Sequence, residues 1–177
     1  MKDCSMDVKA KDTLFTIFGL IMILLTSMPS CTESKKPDPG KIIAGGAAPD
    51  FSLRDLTGKN FTLSAQKGKP VLLIFITTWC PTCRSEMPRY NSIHEKYSQQ
   101  GLEVVNIDIQ EPKGKVSLFA ERYKVPYKTL LDEKGDVAEA YSIVGIPAMV
   151  LIDKDGKILS SQYLAMDRIL ENLLGKK

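Results

Sequence analysis

The chain has 177 residues, 44% hydrophobic and 25% charged, the balance of an ordinary globular protein with a sizeable core. Disordered, collagen-like and multi-span membrane classes are excluded by that balance. Lysine and arginine number 24 against 21 acidic residues, and the net +3 forms no basic stripe, which argues against nucleic acid as a partner.

At the N-terminus, Lys9 and Lys11 precede an almost wholly apolar run from Leu14 to Leu25. That run falls short of the roughly 20 residues a membrane-crossing helix needs and fits the core of an export signal, about 7–15 residues long. Residues 1–30 are therefore read as a signal segment. The following Met28-Pro29-Ser30-Cys31 resembles the lipobox at which bacterial lipoproteins are cleaved and lipidated. Cys31 is then the expected lipid attachment point, and an uncleaved signal anchor is the alternative. A start at Met6 would drop Cys4 and leave the rest unchanged. Residues 31–46, polar and rich in glycine and proline, read as the lipidated terminus and a flexible tether. Residues 47–177 make one domain without internal repeats.

Within the domain, Phe51-Ser52-Leu53 and Phe61-Thr62-Leu63 flank a Thr57-Gly58 turn, the pattern of a small hairpin. The continuous apolar run Val71–Ile76 predicts a central strand covered on both faces. A helix is predicted over Pro81–Gln99, with Met87, Tyr90, Ile93, His94 and Tyr97 on one stripe and a kink at Pro88. Then follow a strand at Leu102–Ile107, a helix at Val116–Tyr123, a strand at Lys128–Leu131 and a short helix at Val137–Tyr141. Ala148–Ile152 and Ile158–Ser161 flank Asp153-Lys154-Asp155-Gly156, a second hairpin, and Asp167 is the expected cap of a last helix reaching Leu174. The alternation gives an α/β class, and the second hairpin makes the central sheet mixed.

Cys4 and Cys31 lie in the leader or at its end, which leaves Cys80 and Cys83 as the pair inside the domain. Trp79-Cys80-Pro81-Thr82-Cys83 begins where the buried strand ends, so Cys80 is expected near the helix cap with Pro81 in the first turn. Unpaired amides and the positive end of the helix dipole favour a thiolate there, the form that attacks disulfides. Cys83, one turn later and more buried, is placed to resolve the mixed disulfide and leave a Cys80–Cys83 disulfide. Structural zinc is the first alternative, but His94 is the only other soft ligand in the domain. A purely structural disulfide is the second, and so small a loop would remove little chain entropy.

Four segments carry a resemblance that spans the domain: Ala48–Leu53, Gly68–Phe75, Trp79–Pro88 and Gly145-Ile146-Pro147. In that order they resemble the thioredoxin-like family of exported, membrane-tethered reductases related to the cytochrome c maturation proteins. The resemblance implies a thioredoxin-like fold with an N-terminal β-hairpin, helices flanking the sheet, and an inserted helix–strand unit, which Val116–Leu131 supplies. It implies a redox-active Cys80–Cys83 disulfide and no further cofactor or metal. Implied too are a cis Ile146–Pro147 bond facing the dithiol and a substrate chain pairing with the Ile146 backbone, with Trp79, Pro81 and Thr82 beside it. Cytosolic thioredoxins keep a buried aspartate six positions before the first cysteine; here that position is Ile74. Glu86 matches the family's acidic residue and is expected to be partly desolvated, with a raised pKa, and to exchange protons with the thiols. The alternative is an exposed glutamate compensating the first helical turns. His94 is expected to be a packed or boundary residue.

The implied partners are disulfide-containing exported proteins, including apocytochrome c, and a membrane thiol electron donor, with the domain on the outer side of the bacterial cytoplasmic membrane. Two competing functions share the fold. A peroxiredoxin-like peroxidase would use Thr77 ahead of Cys80, yet Leu73 stands where its proline is expected. A copper-delivery module would need three residues between its cysteines and a distant histidine, whereas the gap here is two and His94 lies on the same helix.

Overall fold

The computed structural model describes residues 44–175; the signal segment, Cys31 and most of the tether lie outside the described residues. Seven strands form one sheet: β1 (Ser52–Asp55), β2 (Asn60–Thr62), β3 (Val71–Ile76), β4 (Glu103–Ile109), β5 (Lys128–Asp132), β6 (Ala148–Ile152) and β7 (Ile158–Ser160). Their order is β2-β1-β5-β4-β3-β6-β7. β3, β4 and β5 run parallel, while β6 is antiparallel to β3 and β1 is antiparallel to β5. The sheet is therefore mixed, and both hairpins are present.

Four helices complete the domain: α1 (Pro81–Tyr97), α2 (Lys113–Arg122), α3 (Asp136–Ala140) and α4 (Met166–Leu174). The β3–α1–β4 and β4–α2–β5 crossovers step the same way across the sheet, so right-handed connections put α1 and α2 on one face. That face packs Leu72, Ile74 and Ile76 of β3 against Met87, Tyr90, Ile93 and Tyr97 of α1, with Phe119 of α2 and Met166 and Leu170 of α4. The opposite face packs Leu73 and Phe75 against α3 and the first hairpin through Val137, Ala138 and Phe61. All six residues of β3 are buried, as its unbroken apolar run demands.

α1 continues through Pro88, which removes one hydrogen bond without breaking the helix, and ends at Tyr97 in a 3-10 turn. β4 extends to Ile109, beyond the expected Ile107, and this brings Asp108 into the sheet. One expectation fails at α4. The residue preceding that helix is Ala165, which makes no side-chain cap, and Asp167 lies inside the first turn. Its carboxylate is engaged instead by Arg89, 2.6 Å from Nη2, because the buried Met166 starts the helix earlier than the polar pattern suggests.

Candidate active site

The dithiol forms at the C-terminal end of β3, where the chain leaves the centre of the sheet and turns into α1. Cys80 is the N-cap residue, in extended conformation, and its sulfur accepts the Cys83 N–H at 3.3 Å; Pro81 follows in the first turn. An uncompensated helix terminus thus points a donor at the sulfur that leads the motif. Cys80 is 6% exposed and Cys83 fully buried, and both are free thiols. Burial, followed by the neighbouring Cys80, pushes the Cys83 thiol up to about 12, against the opposing backbone amide of Thr77.

Because β6 runs antiparallel to β3, with Ala148 opposite Phe75, the segment entering β6 lies beside the end of β3. That segment holds the Ile146–Pro147 bond, which is cis, and Ile146 packs on the cluster containing Cys80 and Cys83. The rim is apolar and open. Trp79 is 61% exposed and Pro81 and Thr82 are exposed beside it, with Val144 fully exposed on the loop that leads into the cis bond.

Glu86 sits on α1 one turn beyond Cys83, as expected, but its environment reverses the expected titration. Its Oε2 accepts from Arg89 Nη1 at 3.0 Å and from the Tyr163 hydroxyl at 2.9 Å. These bonds hold the carboxyl below its ordinary range, the Arg89 contact being the larger cause. Glu86 is therefore ionised at neutral pH and keeps no proton to exchange. It anchors a network: Tyr163 also bonds the hydroxyl of buried Tyr90 at 2.7 Å, and the Arg89 guanidinium lies 4.9 Å over the Tyr163 ring. His94 is half-buried against Tyr127, a boundary residue as read.

Sequence reasoning missed a pair of acids beside the dithiol turn. Glu111, just past β4, accepts the Thr78 N–H at 2.5 Å and the Thr78 hydroxyl at 2.7 Å, fixing the loop two residues before Cys80. Asp108 of β4 is 1% exposed, and neither of its carboxyl oxygens has a hydrogen-bond partner among the described residues. Burial first, then the charge of Glu111, push Asp108 up to about 8. The signal was an aspartate between Ile107 and Ile109, where a parallel strand covered on both faces calls for apolar residues. Among the described residues no cluster of His, Cys, Asp and Glu could hold a metal ion.

The chain is similar in sequence and fold to known proteins. The sequence profile of the AhpC/TSA family matches residues 44–161. The thiol-disulfide oxidoreductase ResA of Geobacillus thermodenitrificans (strain NG80-2) is 39% identical over 117 residues, 66% of this chain and 67% of that protein. ResA of Bacillus subtilis (strain 168) is 34% identical over 154 residues, 86% of each chain. Among solved structures, the thioredoxin domain of a thiol-disulfide oxidoreductase from Bacteroides vulgatus superposes with a TM-score of 0.70 at 27% identity, covering 76% of this chain and 99% of that one.

Proposed function

From the premise that the chain belongs to the AhpC/TSA family and is a thiol-disulfide oxidoreductase of thioredoxin-like fold, we propose that it works in the reducing direction. In this reading Cys80 attacks a substrate disulfide, and Cys83 then displaces the substrate thiol by bonding to Cys80. The substrate chain extends along the Ile146 backbone before Pro147, between the exposed Trp79 and the Pro81-Thr82 turn. Substrates are disulfide-containing exported proteins, apocytochrome c among them, and a thiol carrier in the membrane returns the electrons. Cys31, lipidated, or the retained signal segment holds the domain on the outer side of the cytoplasmic membrane. No cofactor beyond the Cys80–Cys83 disulfide is required.

The observation that carries the direction is the poor stabilisation of the reduced pair. The Cys80 sulfur is held by one backbone N–H, and Cys83 is buried with its thiol pushed up to about 12. The nearby guanidinium groups are directed elsewhere, Arg84 to the Thr78 carbonyl and Arg89 to Glu86 and Asp167. A strong oxidant of this fold owes its potential to a stabilised reduced form, so a dithiol without that support favours the disulfide and gives electrons away. Equilibration of the Cys80–Cys83 pair with glutathione tests this. A potential toward the thioredoxin end, about −270 mV, is expected; a value near about −120 mV overturns the reducing direction.

A further inference from the structure

A buried carboxylate such as Asp108, with no hydrogen-bond donor among the described residues and with the Glu111 carboxyl close by, is costly enough to call for a reason. Its position supplies one. Asp108 lies in register beside Ile76 of parallel β3, and in-register neighbours point to the same face of a sheet. Ile76 packs in the cluster that contains Cys80 and Cys83, so Asp108 is directed to the face that α1 covers, next to the end of β3 that leads into the dithiol. Glu111 reaches the same turn from the other direction through Thr78, and the backbone amide of the adjoining Thr77 faces the Cys83 sulfur.

We propose that buried Asp108, held beside the charge of Glu111, exchanges a proton with the Cys83 thiol during thiol–disulfide exchange. The inference rests on the exchange chemistry assigned to Cys80 and Cys83. In the resolving step, Cys83 sulfur bonds to Cys80 sulfur and the bond from Cys80 to the substrate sulfur breaks. The Cys83 proton passes to ionised Asp108, and the substrate leaves as a thiolate with the electron pair, taking its proton from solvent. The dithiol loses two electrons and the substrate disulfide gains them. When a donor thiolate later opens the protein disulfide at Cys80, the departing Cys83 sulfur takes the proton back from neutral Asp108.

The surroundings suit this task. A thiol at about 12 does not ionise into neutral water, whereas an acceptor lifted to about 8 lies between the two and stays partly ionised near neutrality. Glu111 is the charged group that acts on Asp108. From α1 the titratable groups turned into this face near the site are Cys83 and Tyr90, both fully buried. β3 and β5 place apolar Ile76 and Leu131 in register beside Asp108. α2 turns Val116 and Phe119 inward and keeps Lys113 and Lys115 exposed. Glu86 is excluded from this role because Arg89 and Tyr163 hold it below its ordinary range and so make it a poor acceptor for a thiol proton.

The test follows the reduced full-length protein reacting with dithionitrobenzoate, a chromogenic disulfide that releases one aromatic thiolate as Cys80 attacks and a second as Cys83 resolves. In Asp108→Asn the second release is expected to slow roughly a hundredfold near neutral pH, the low end of general-base contributions, while the first keeps its rate. The inflection of the second release at about pH 8 disappears in that variant. In Glu111→Gln, which removes the like charge, the inflection moves to lower pH. An Asp108→Asn variant with an unaltered second release and pH profile overturns the proposal. Wild-type protein that releases neither thiolate would instead sink the exchange reading beneath it. Infrared titration of the wild type needs no variant to fold: a protonated-carboxyl band must fade with a midpoint near pH 8, and its absence at lower pH also overturns the proposal.

Discussion

Glu86 is kept ionised by the Arg89 guanidinium and the Tyr163 hydroxyl, whereas Asp108, without a donor among the described residues, is kept neutral by burial and by the charge of Glu111. Linkage gives these two carboxyls opposite effects on stability. Glu86, lowered from 4.5, contributes stability that is present above its unfolded pKa and lost as pH falls through the folded one. Asp108, raised from 3.8 to about 8, contributes stability that is full below 3.8 and lost as pH rises toward 8. Thermal unfolding of Asp108→Asn and wild type across pH should therefore show the variant melting higher at pH values above about 8, by up to several kcal/mol of stability, with the gap closing toward pH 4. Glu86→Gln should melt lower than wild type at neutral pH, with its gap closing in acid. An Asp108→Asn protein that melts lower in alkaline solution would show that the carboxyl is a structural support rather than a tolerated cost. A stabilised variant that resolves mixed disulfides slowly is the signature of a group retained for the reaction.

α1 shows which features of the site were legible in the sequence. Its start was readable because the signal is local: Pro81 at the first helical position, Cys80 ahead of it, and an apolar strand ending just before. The cis Pro147 was placed by the order of the motif segments. The titration of Glu86 was not readable, because Tyr163, one of the two groups that determine it, stands 77 residues away in a 3-10 turn. The end of β4 was missed for a related reason, since the alternation of Asn106 and Asp108 with isoleucines looks like a strand's edge until burial of both faces is known. The Tyr163 turn is fastened to α1 through a bridging hydroxyl, and that predicts an asymmetry. Tyr163→Phe leaves the buried Tyr90 hydroxyl unpaired and should cost about 1–3 kcal/mol. Tyr90→Phe leaves Tyr163 bonded to Glu86 and should cost about 1 kcal/mol. Denaturant unfolding of both variants decides it; a larger loss in Tyr90→Phe would contradict the bridging arrangement.

For the whole molecule, the potential of the dithiol and the stability of the fold are one quantity seen from two sides. Around a cycle of oxidation and unfolding, any preference of the folded domain for the disulfide must reappear as extra stability of the oxidised protein. The conversion is about 1.4 kcal/mol for each 30 mV by which the folded pair is more reducing than the unfolded one. The buried, unionised Cys83 and the acids beneath it oppose a second negative charge at the end of β3, so the folded domain gains little from holding thiolates. Its oxidised form should accordingly unfold at a higher temperature than its reduced form, the reverse of a strongly oxidising protein whose reduced state is the stabilised one. The gap should widen as pH rises from 6 toward 9, because ionisation of the unfolded thiols draws on the reduced fold, while oxidation removes the thiols from that balance. Paired calorimetric scans of the two redox states measure both trends at once. A reduced form that melts above the oxidised one would mean that the end of β3 stabilises thiolates after all, and the domain would then accept electrons from its substrates rather than supply them.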